Sequence, residues 1–507
     1  MKAIKRLIFS LFVGLVTGAV LAMLGPGDFW RGWLAAGFLC WLSVFFLWTV
    51  GLWAGARKTL IWMIVLAFVL RLGIGMAISL ALPIYGHNEP TQKAGYLFYD
   101  AYKRDQESWG MALSNSSFVD ALYMEFDTDQ YGGLLVLGWM VYSYLSPDAH
   151  RPFLILILGA FAAALGVPFF WRAVNQRWNI ALANLAGWIL VLYPDGIFFG
   201  ASQMREPFLI GLSCIAFWSV VEWAADKRSA ILAFAFSTAG MAVFSSRAFL
   251  AVVAVLAVWF WLEYLLPRSK VWHLAGVIGL MVAGLGLFFV LGGWLKSVAW
   301  YDLRLTVLDS GRWQEALNQI QGWLKTPVLI GYGLTQPVLP AAIAYPTVWI
   351  WKVIAILRAA GWYALAPLLL YALYTSFKAQ PLADRRVLVW FAVAVVIWTL
   401  ISSARAGGDQ WDNPRYRTLF LPWMALLAAW AMRYALAVRD FWLVRWLLVE
   451  FIFLAFFTHW YFTRYFQWSG RMPFWRMITW ILGLSAFVLS SGWLWDVWRW
   501  WRKRRAQ

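Results

Sequence analysis

The carboxylates best suited to catalysis lie in one polar stretch, GYLFYDAYKRDQESWGMALS, at residues 95–114. Asp100 and Asp105 are five residues apart within it, and an apolar run precedes the stretch. A carboxylate beside a substrate hydroxyl can act as a general base. We therefore take Asp100 and Asp105 as candidate catalytic residues. The alternative is that both are solvated loop charges paired with Lys103 and Arg104.

Further polar segments interrupt the apolar chain, and several carry an arginine close to the end of an apolar run. These segments are FDTDQYGG (126–133), YPDGIFFGASQMREPF (193–208), FSSRAF (244–249) and SSARAGGDQWDNPRYRTLFLP (402–422). The arginines concerned are Arg205, Arg247, Arg405 and Arg415. Guanidinium groups match the oxygens of a phosphate, and ionisable groups beside a bilayer tend to mark a site. The pattern predicts that an anionic group such as a phosphate is bound here.

Several residues of these segments have two interpretations each. Asp127 and Asp129 could hold a divalent cation such as Mg²⁺ or Mn²⁺, or could cap the helix that follows them. Glu206 could belong to the site, or could be an acidic residue in the first turn of a helix. Arg415 and Arg417 could bind the anion, or could anchor a helix at the membrane interface. A metal ion is therefore possible but not required.

The composition decides the class of protein. The chain has 507 residues, of which 63% are hydrophobic and 13% charged, whereas soluble domains carry roughly 25% charged residues. Its apolar runs are long enough to cross a bilayer as helices. We predict an all-α polytopic membrane protein with about 14 transmembrane helices. The net charge of +18 is explained by lysines and arginines between the runs, as in cytoplasmic loops, and we expect no nucleic-acid partner.

The predicted spans fall into an N-terminal group and a longer C-terminal bundle, separated by a polar loop. They are residues 7–24, 32–54, 59–82, 153–171, 178–194, 207–225, 229–244, 248–265, 272–293, 360–377, 387–403, 417–433, 441–462 and 474–497. The domains follow as 1–82, the outer loop with interfacial helices at 83–152, and the bundle at 153–507. The bundle has outer loops at 195–206, 294–358 and 404–416. The amphipathic segment 347–358 is expected to lie along the outer interface.

The apolar run at 131–145 decides the orientation of every later span. It has about 15 residues, which is short for a transmembrane helix. If it does not cross, the later basic segments all fall on the side of the N-terminus, as the distribution of positive charge in membrane proteins requires. We therefore predict a short helix at the outer surface. Both chain termini are then cytoplasmic, in an inner (plasma) membrane.

The order of these segments resembles the GT-C superfamily of polytopic glycosyltransferases. The resemblance depends on the acidic first outer loop, on the QYGGLLVLGWMVYSYLSPDAHRP and NIALANLAGWILVLYP helices, on SQMREPFL, and on NPRYRTLFLPWMALLAAWAM. It covers about 95–225 and 404–435. The closest kinds are bacterial relatives of protein O-mannosyltransferases and lipid A aminoarabinose transferases. Two spans more than usual precede the acidic loop here.

The resemblance implies a sugar donor linked to polyprenyl phosphate and a glycan, lipid or protein acceptor on the extracytoplasmic side. It implies that an acid of the first outer loop, Asp100 or Asp105, is the base, and that Glu206 is the acid of the second outer loop. Arg205 would meet the donor phosphate. Arg415, Tyr416 and Arg417 of NPRYR would belong to the polar cluster on the donor side.

Two other classes of protein remain open at this stage. Arg71 lies inside an apolar run, and an ionisable residue within a span is typical of transporters. It therefore favours a flippase or transporter of lipid-linked glycans. The arginines of the 294–358 loop favour a polymerase or ligase of such glycans instead.

Overall fold

The chain folds almost entirely into α-helices in the computed structural model, which describes residues 2–55, 57–114, 116–117, 119–120, 132–266, 274, 276, 321–468, 470 and 472–505. No strand occurs in these residues. The helices before the 267–320 gap are α1 (Lys2–Leu24), α2 (Phe29–Trp53), α3 (Lys58–Tyr85), α4 (Pro90–Lys93), α5 (Tyr99–Leu113), α6 (Gly132–Met140), α7 (Phe153–Arg177), α8 (Ile180–Leu192), α9 (Pro194–Gly200), α10 (Glu206–Glu222), α11 (Lys227–Phe244) and α12 (Ser246–Phe260).

The later helices are α13 (Gly322–Thr335), α14 (Leu339–Ala344), α15 (Trp349–Ser376), α16 (Leu382–Ala406), α17 (Asp412–Thr418), α18 (Leu421–Val438), α19 (Trp442–Phe466) and α20 (Phe474–Arg505). The chain divides into two compact units. The first unit is Met1–Leu305 with Arg415–Leu426, and the second is Thr306–Pro414 with Leu427–Gln507.

The predicted class is confirmed, with fewer long spans than expected. Across the described residues, ten helices are long and apolar enough to cross a membrane, or up to eleven if the bent pair α8–α9 is one span. The predicted spans at 207–225 and 229–244 form helices α10 and α11. However, α10 has only 17 residues, and α11 begins with Lys227 and Arg228. The predicted span 272–293 lies outside the described residues, apart from positions 274 and 276.

Contacts at the helix ends fix the direction of the helices in the first unit. Arg151, just before α7, donates to the backbone carbonyl of Asp28, just before α2, over 2.9 Å. At the other end, Arg172 of α7 donates to the carbonyl of Trp53 over 2.6 Å. Helices α2 and α7 therefore run in the same direction, and α3 runs in the opposite direction and packs against α7. We call the two ends the Asp28 end and the Trp53 end.

The segment between α3 and α7 therefore begins and ends at the Asp28 end. It contains α6, which continues as a π-helical turn, Val141–Leu145. The whole apolar stretch Gly132–Leu145 is shorter than the spanning helices. Gly133 lies close to the carbonyl of Val243, near the C-terminus of α11, because a Cβ added there would come within 2.7 Å of that oxygen. The prediction that this run does not cross agrees with these contacts.

Small residues allow the central helices of the first unit to approach closely. A Cβ added at Gly211 of α10 would lie 2.0 Å from the carbonyl oxygen of Ala162 on α7. A Cβ added at Gly166 of α7 would lie 2.8 Å from the Cα of Gly211. Association of helices in lipid depends on such close packing, because the lipid tails are as apolar as the side chains. Helix α7 packs against α2, α3, α8 and α10 and forms the centre of this unit.

In the second unit, the segment predicted to lie along the interface is part of a longer helix. Helix α15 is continuous over 28 residues, Trp349–Ser376, because residues 349–360 contain no proline or glycine that would interrupt it. The Arg358 guanidinium stacks over the ring of Trp411 at 4.0 Å. Gly333 of α13 packs against Gly407, with 2.6 Å from its notional Cβ to the Gly407 carbonyl.

Candidate functional site

A glycine turn and an aromatic cluster position helix α5 at the Asp28 end. Gly95 has φ +81°, and a Cβ there would lie 2.5 Å from the carbonyl oxygen of Ser79, so the turn requires glycine. The ring of Phe98 stacks on that of Phe199, with centroids 5.1 Å apart. Tyr96 packs with Met204 in a buried cluster. These contacts hold the first turn of α5 against the loop between α9 and α10.

Asp100, in that first turn, belongs to a cluster of alternating charges. Its Oδ2 accepts a hydrogen bond from Nη1 of Arg415 at 2.7 Å. Nε of Arg415 also donates to Oε1 of Glu206 at 2.7 Å. Nε of Arg205 lies 3.4 Å from the same Glu206 oxygen. The structure therefore brings together four of the predicted site residues, which are up to 315 positions apart in the sequence.

The members of this cluster differ in their access to solvent. The Asp100 side chain is 42% exposed, whereas those of Arg415 and Glu206 are 10% and 5% exposed. Partial burial is the largest single influence and would raise the pKa of Asp100, but Arg415 and two further arginines together outweigh it, so the pKa of this carboxyl lies below its ordinary value. The charges of Arg104 and Arg205 act in the same direction. Asp100 is thus an ionised and accessible carboxylate at neutral pH.

Local packing explains why Arg415 reaches this cluster from so far along the chain. Thr418 donates to the Arg415 carbonyl at 2.7 Å and closes the last turn of α17. Leu421 then packs against Gly196 of α9, where a Cβ would be 2.9 Å away. Trp423 meets the ring of Phe217 on α10, with centroids 5.8 Å apart. The segment that carries Arg415 is therefore fixed to the first unit.

Asp105 lies on a different face of α5 and has different partners. Its carboxylate accepts hydrogen bonds from the hydroxyls of Tyr96 and, at 2.5 Å, Tyr142. Nε2 of His150 lies 2.8 Å from its Oδ2. Asp105 is only 5% exposed. Burial, and then the Asp105 charge, raise the pKa of both tyrosines above the ordinary value. The sequence grouped Asp100 with Asp105, whereas the structure places them in separate clusters.

An ion pair holds the loop that carries His150. Arg151 is 1% exposed, and its two terminal nitrogens donate to the two oxygens of Asp148 at 2.7 and 2.8 Å. The hydrogen bonds from Arg151 lower the pKa of Asp148 to about 2. Arg151 also donates to Ser146 at 2.7 Å. Together with the bond to the Asp28 carbonyl, these contacts fix the loop to the start of α2.

The other predicted site residues lie elsewhere or outside the described part. Arg247 is half-buried at the start of α12, where Ser245 caps the helix. Arg405 is half-buried in the last turn of α16, in the second unit. On α17, Tyr416 is half-buried and Arg417 is 1% exposed.

The predicted metal ligands Asp127 and Asp129 lie outside the described residues. Across the residues that are described, no group of three or more metal-binding side chains is found.

Sequence reasoning missed the partners of Asp105, namely Tyr96, Tyr142 and His150. Histidines are few and scattered along the chain, so His150 did not stand out. One signal was present, because the three partners and Asp105 all occur in the predicted outer loop 83–152. A buried carboxylate in such a loop needs donors close by. Which donors it finds depends on how α5, α6 and the Arg151 loop fold together.

Comparisons with known proteins reveal remote likeness only to solved structures. No protein-family model matches the chain, and no curated protein matches it. Among solved structures, it is similar to the archaeal oligosaccharyltransferase AglB from Archaeoglobus fulgidus in complex with an inhibitory peptide and a dolichol-phosphate. The identity is 12% and the TM-score 0.30, over 83% of this chain and 54% of that one. The chain thus spans about half the length of that enzyme. We base the function on the geometry of the first unit instead.

Proposed function

We propose that the protein is a membrane glycosyltransferase of GT-C type, which moves a sugar from a polyprenyl-phosphate donor to an acceptor hydroxyl. One observation carries the proposal: an accessible, ionised carboxylate, Asp100, is held by Arg415 at one end of a multi-span helical unit, and the same arginine binds the buried Glu206. A base beside arginines at the bilayer surface is the arrangement that sugar transfer from a lipid phosphate requires.

The charges of the cluster favour an anionic donor. Three guanidinium groups, those of Arg104, Arg205 and Arg415, act on the two carboxylates of Asp100 and Glu206. More than one guanidinium group therefore acts on each of these carboxylates. A phosphate that enters it gains charge-assisted hydrogen bonds from arginines whose positions Glu206 already fixes.

In the proposed reaction, Asp100 accepts the proton of the acceptor hydroxyl. The acceptor oxygen then forms a bond to the anomeric carbon as the bond from that carbon to the phosphate oxygen breaks. The electron pair of the broken bond leaves with polyprenyl phosphate, and Arg205 and Arg415 stabilise its growing charge. Attack opposite the leaving group inverts the anomeric configuration. Asp105 has no role as the base, because its carboxylate is enclosed by two tyrosines and His150.

We place the Asp28 end on the extracytoplasmic side of an inner (plasma) membrane, with both termini cytoplasmic. The acceptor is a glycan, lipid or protein that reaches this side. A divalent cation held by Asp127 and Asp129 is an optional addition to the proposal. No proposed step depends on it, so chelation with EDTA should leave transfer unchanged.

One observation favours a transporter as the second candidate. Arg71 lies near the middle of α3, is 1% exposed, and donates to the Ala67 carbonyl at 3.0 Å. Its aliphatic part packs against Gly200, where a Cβ would be 2.6 Å from Cδ. Buried ionisable groups in a span are typical of transport pathways. The same contacts also join α3 to α9, which a purely structural role explains.

A reconstituted assay separates the two candidates. The purified protein in proteoliposomes is given radiolabelled sugars linked to short-chain polyprenyl phosphates, together with membrane extract as a source of acceptor. Transfer produces free polyprenyl phosphate and a labelled acceptor in equal amounts. Movement of the lipid-linked sugar across the bilayer with no cleavage would favour the transporter and reject the transferase.

A further inference from the structure

A cleft lies on the face of α5 that points away from the Asp100 cluster. Its volume is about 420 Å³, which is within the usual range for small-molecule sites. Its walls are chiefly aromatic and hydroxyl side chains from α5, α6 and the turns that follow them. They include Trp109, Ser116, Trp139, Tyr142, Ser143 and Tyr144. All of these residues belong to the first unit.

The rings form two walls with defined geometry. Trp109 meets Tyr142 edge to face, with centroids 5.6 Å apart. Trp139 and Tyr144 meet in the same way at 5.9 Å. Below them, Gly138 of α6 packs against Ser108 of α5, where a Cβ would lie 2.6 Å from the Ser108 Oγ, so the two helices approach closely. The cleft is therefore a packed feature of the fold.

The Asp105 cluster supports one of these walls. The ring of His150 stacks on that of Trp109, with centroids 5.4 Å apart and planes 18° apart, and meets the Tyr142 ring at 5.0 Å. Nε2 of His150 also lies 2.8 Å from Oδ2 of Asp105. This contact fixes the position of the His150 ring and, through the stacking, the orientation of Trp109.

The chemistry of the lining selects a neutral carbohydrate. A pyranose ring has an apolar face of C–H groups and a rim of hydroxyls, which match aromatic rings and serine or tyrosine hydroxyls respectively. None of the described residues that line the cleft is charged, so none of them offers a counter-charge to a phosphate. An acyl chain would cover the Ser143 hydroxyl with hydrocarbon, which is unfavourable.

The position of the cleft along α5 sets the size of the ligand. Trp109 is nine residues beyond Asp100 on the same helix, which is about 13 Å of helical rise. This distance is longer than one pyranose ring, so a sugar in the cleft is not the sugar that reacts at Asp100. We propose that the cleft binds a neutral sugar of an oligosaccharide acceptor, at least one residue away from the hydroxyl that is glycosylated. The assignment of this sugar to the acceptor rests on the proposed function. The binding of a neutral sugar in the cleft does not.

Saturation-transfer NMR tests the binding directly. The protein is placed in lipid nanodiscs without glycoside detergents, which would compete for the cleft. The probes are maltotriose, cellotriose and chitotriose, each compared with its monosaccharide. We expect saturation transfer to at least one trisaccharide, and a loss of at least tenfold in affinity in Trp109→Leu. Tyr144→Ala should also weaken binding, and it should fold normally because Tyr144 is 73% exposed.

Two further variants make the result specific. Trp323→Leu removes an exposed tryptophan of the second unit and should bind like the wild type. Asp100→Asn should keep the binding and lose the transfer, so that a failure of the proposed function can be told apart from a failure of this inference. The inference is overturned if no trisaccharide receives saturation, or if Trp109→Leu and Tyr144→Ala bind as tightly as the wild type.

Discussion

Replacing each of the two carboxylates that share Arg415 should lower the stability of the protein by very different amounts. Glu206 is 5% exposed and accepts hydrogen bonds from two arginines, whereas Asp100 is 42% exposed and has one such bond. Removing one partner of a buried ion pair costs roughly 3–5 kcal/mol, and removing an exposed partner costs about 1 kcal/mol or less. The difference between the losses in free energy of unfolding thus tests whether Glu206 and Arg415 form a buried ion pair.

We expect Glu206→Gln to lower the free energy of unfolding by about 3 kcal/mol, near the lower limit for a buried pair, because the amide oxygen still accepts from Arg415. Asp100→Asn should lower it by no more than about 1 kcal/mol. Equilibrium unfolding in mixed detergent micelles measures both. A matched control is Glu222→Gln at the other end of α10, which is also buried but accepts from the Gln176 side chain at 3.3 Å.

The reasoning would be refuted if Glu206→Gln and Asp100→Asn destabilised the protein equally. It would also be refuted if Glu222→Gln cost as much as Glu206→Gln, because burial alone would then explain the loss. In either case the ion pair with Glu206 would not be what holds Arg415 in place.

Three other predictions concern pH, packing and topology. In Arg415→Gln, the arginine that lowers the pKa of Asp100 most is lost, so this pKa rises towards the value that burial favours. Since the base must be ionised, the acid limb of the pH–activity profile should move to higher pH, and an unchanged limb would exclude Asp100 as the titrating group. Gly211→Leu should abolish folding, as measured by size-exclusion chromatography, whereas a monodisperse variant would contradict the close crossing of α7 and α10. A cysteine at the exposed position Lys93 should react with impermeant maleimide added outside the cell. A cysteine at the exposed position Lys227 should react only when the reagent has access to the inside. The reverse pattern would contradict the proposed orientation.

The sequence alone predicted the features that depend on long, local patterns. Apolar runs identified most helices, and the distribution of lysine and arginine indicated that the run at 131–145 does not cross. The length of α15 was missed because amphipathic character was taken as a sign of a separate interfacial segment. Residues 349–360 instead continue into the span, since nothing in them interrupts a helix.

The site was only partly predictable, because its contacts join distant parts of the chain. Asp100, Arg205, Glu206 and Arg415 were all identified from their residue types and their positions next to apolar runs. Their pairing depends on the packing of the start of α18 against α9 and α10, which no local pattern records. The separation of Asp105 from Asp100 was also missed, since five helical residues place the two on different faces of α5.

The measurement that tests the central claim most directly is the turnover of Asp100→Asn in proteoliposomes with a polyprenyl-phosphate sugar that the wild type accepts. The matched control is Glu107→Gln on the same helix, whose side chain is 47% exposed and pairs only loosely with Lys103 at 3.8 Å. Removal of a general base typically costs about 10²–10⁴ in rate. We predict a loss in that range for Asp100→Asn at an unchanged melting temperature, with Glu107→Gln fully active. Turnover of Asp100→Asn within about threefold of the wild type, far below the cost of losing a base, would contradict the account.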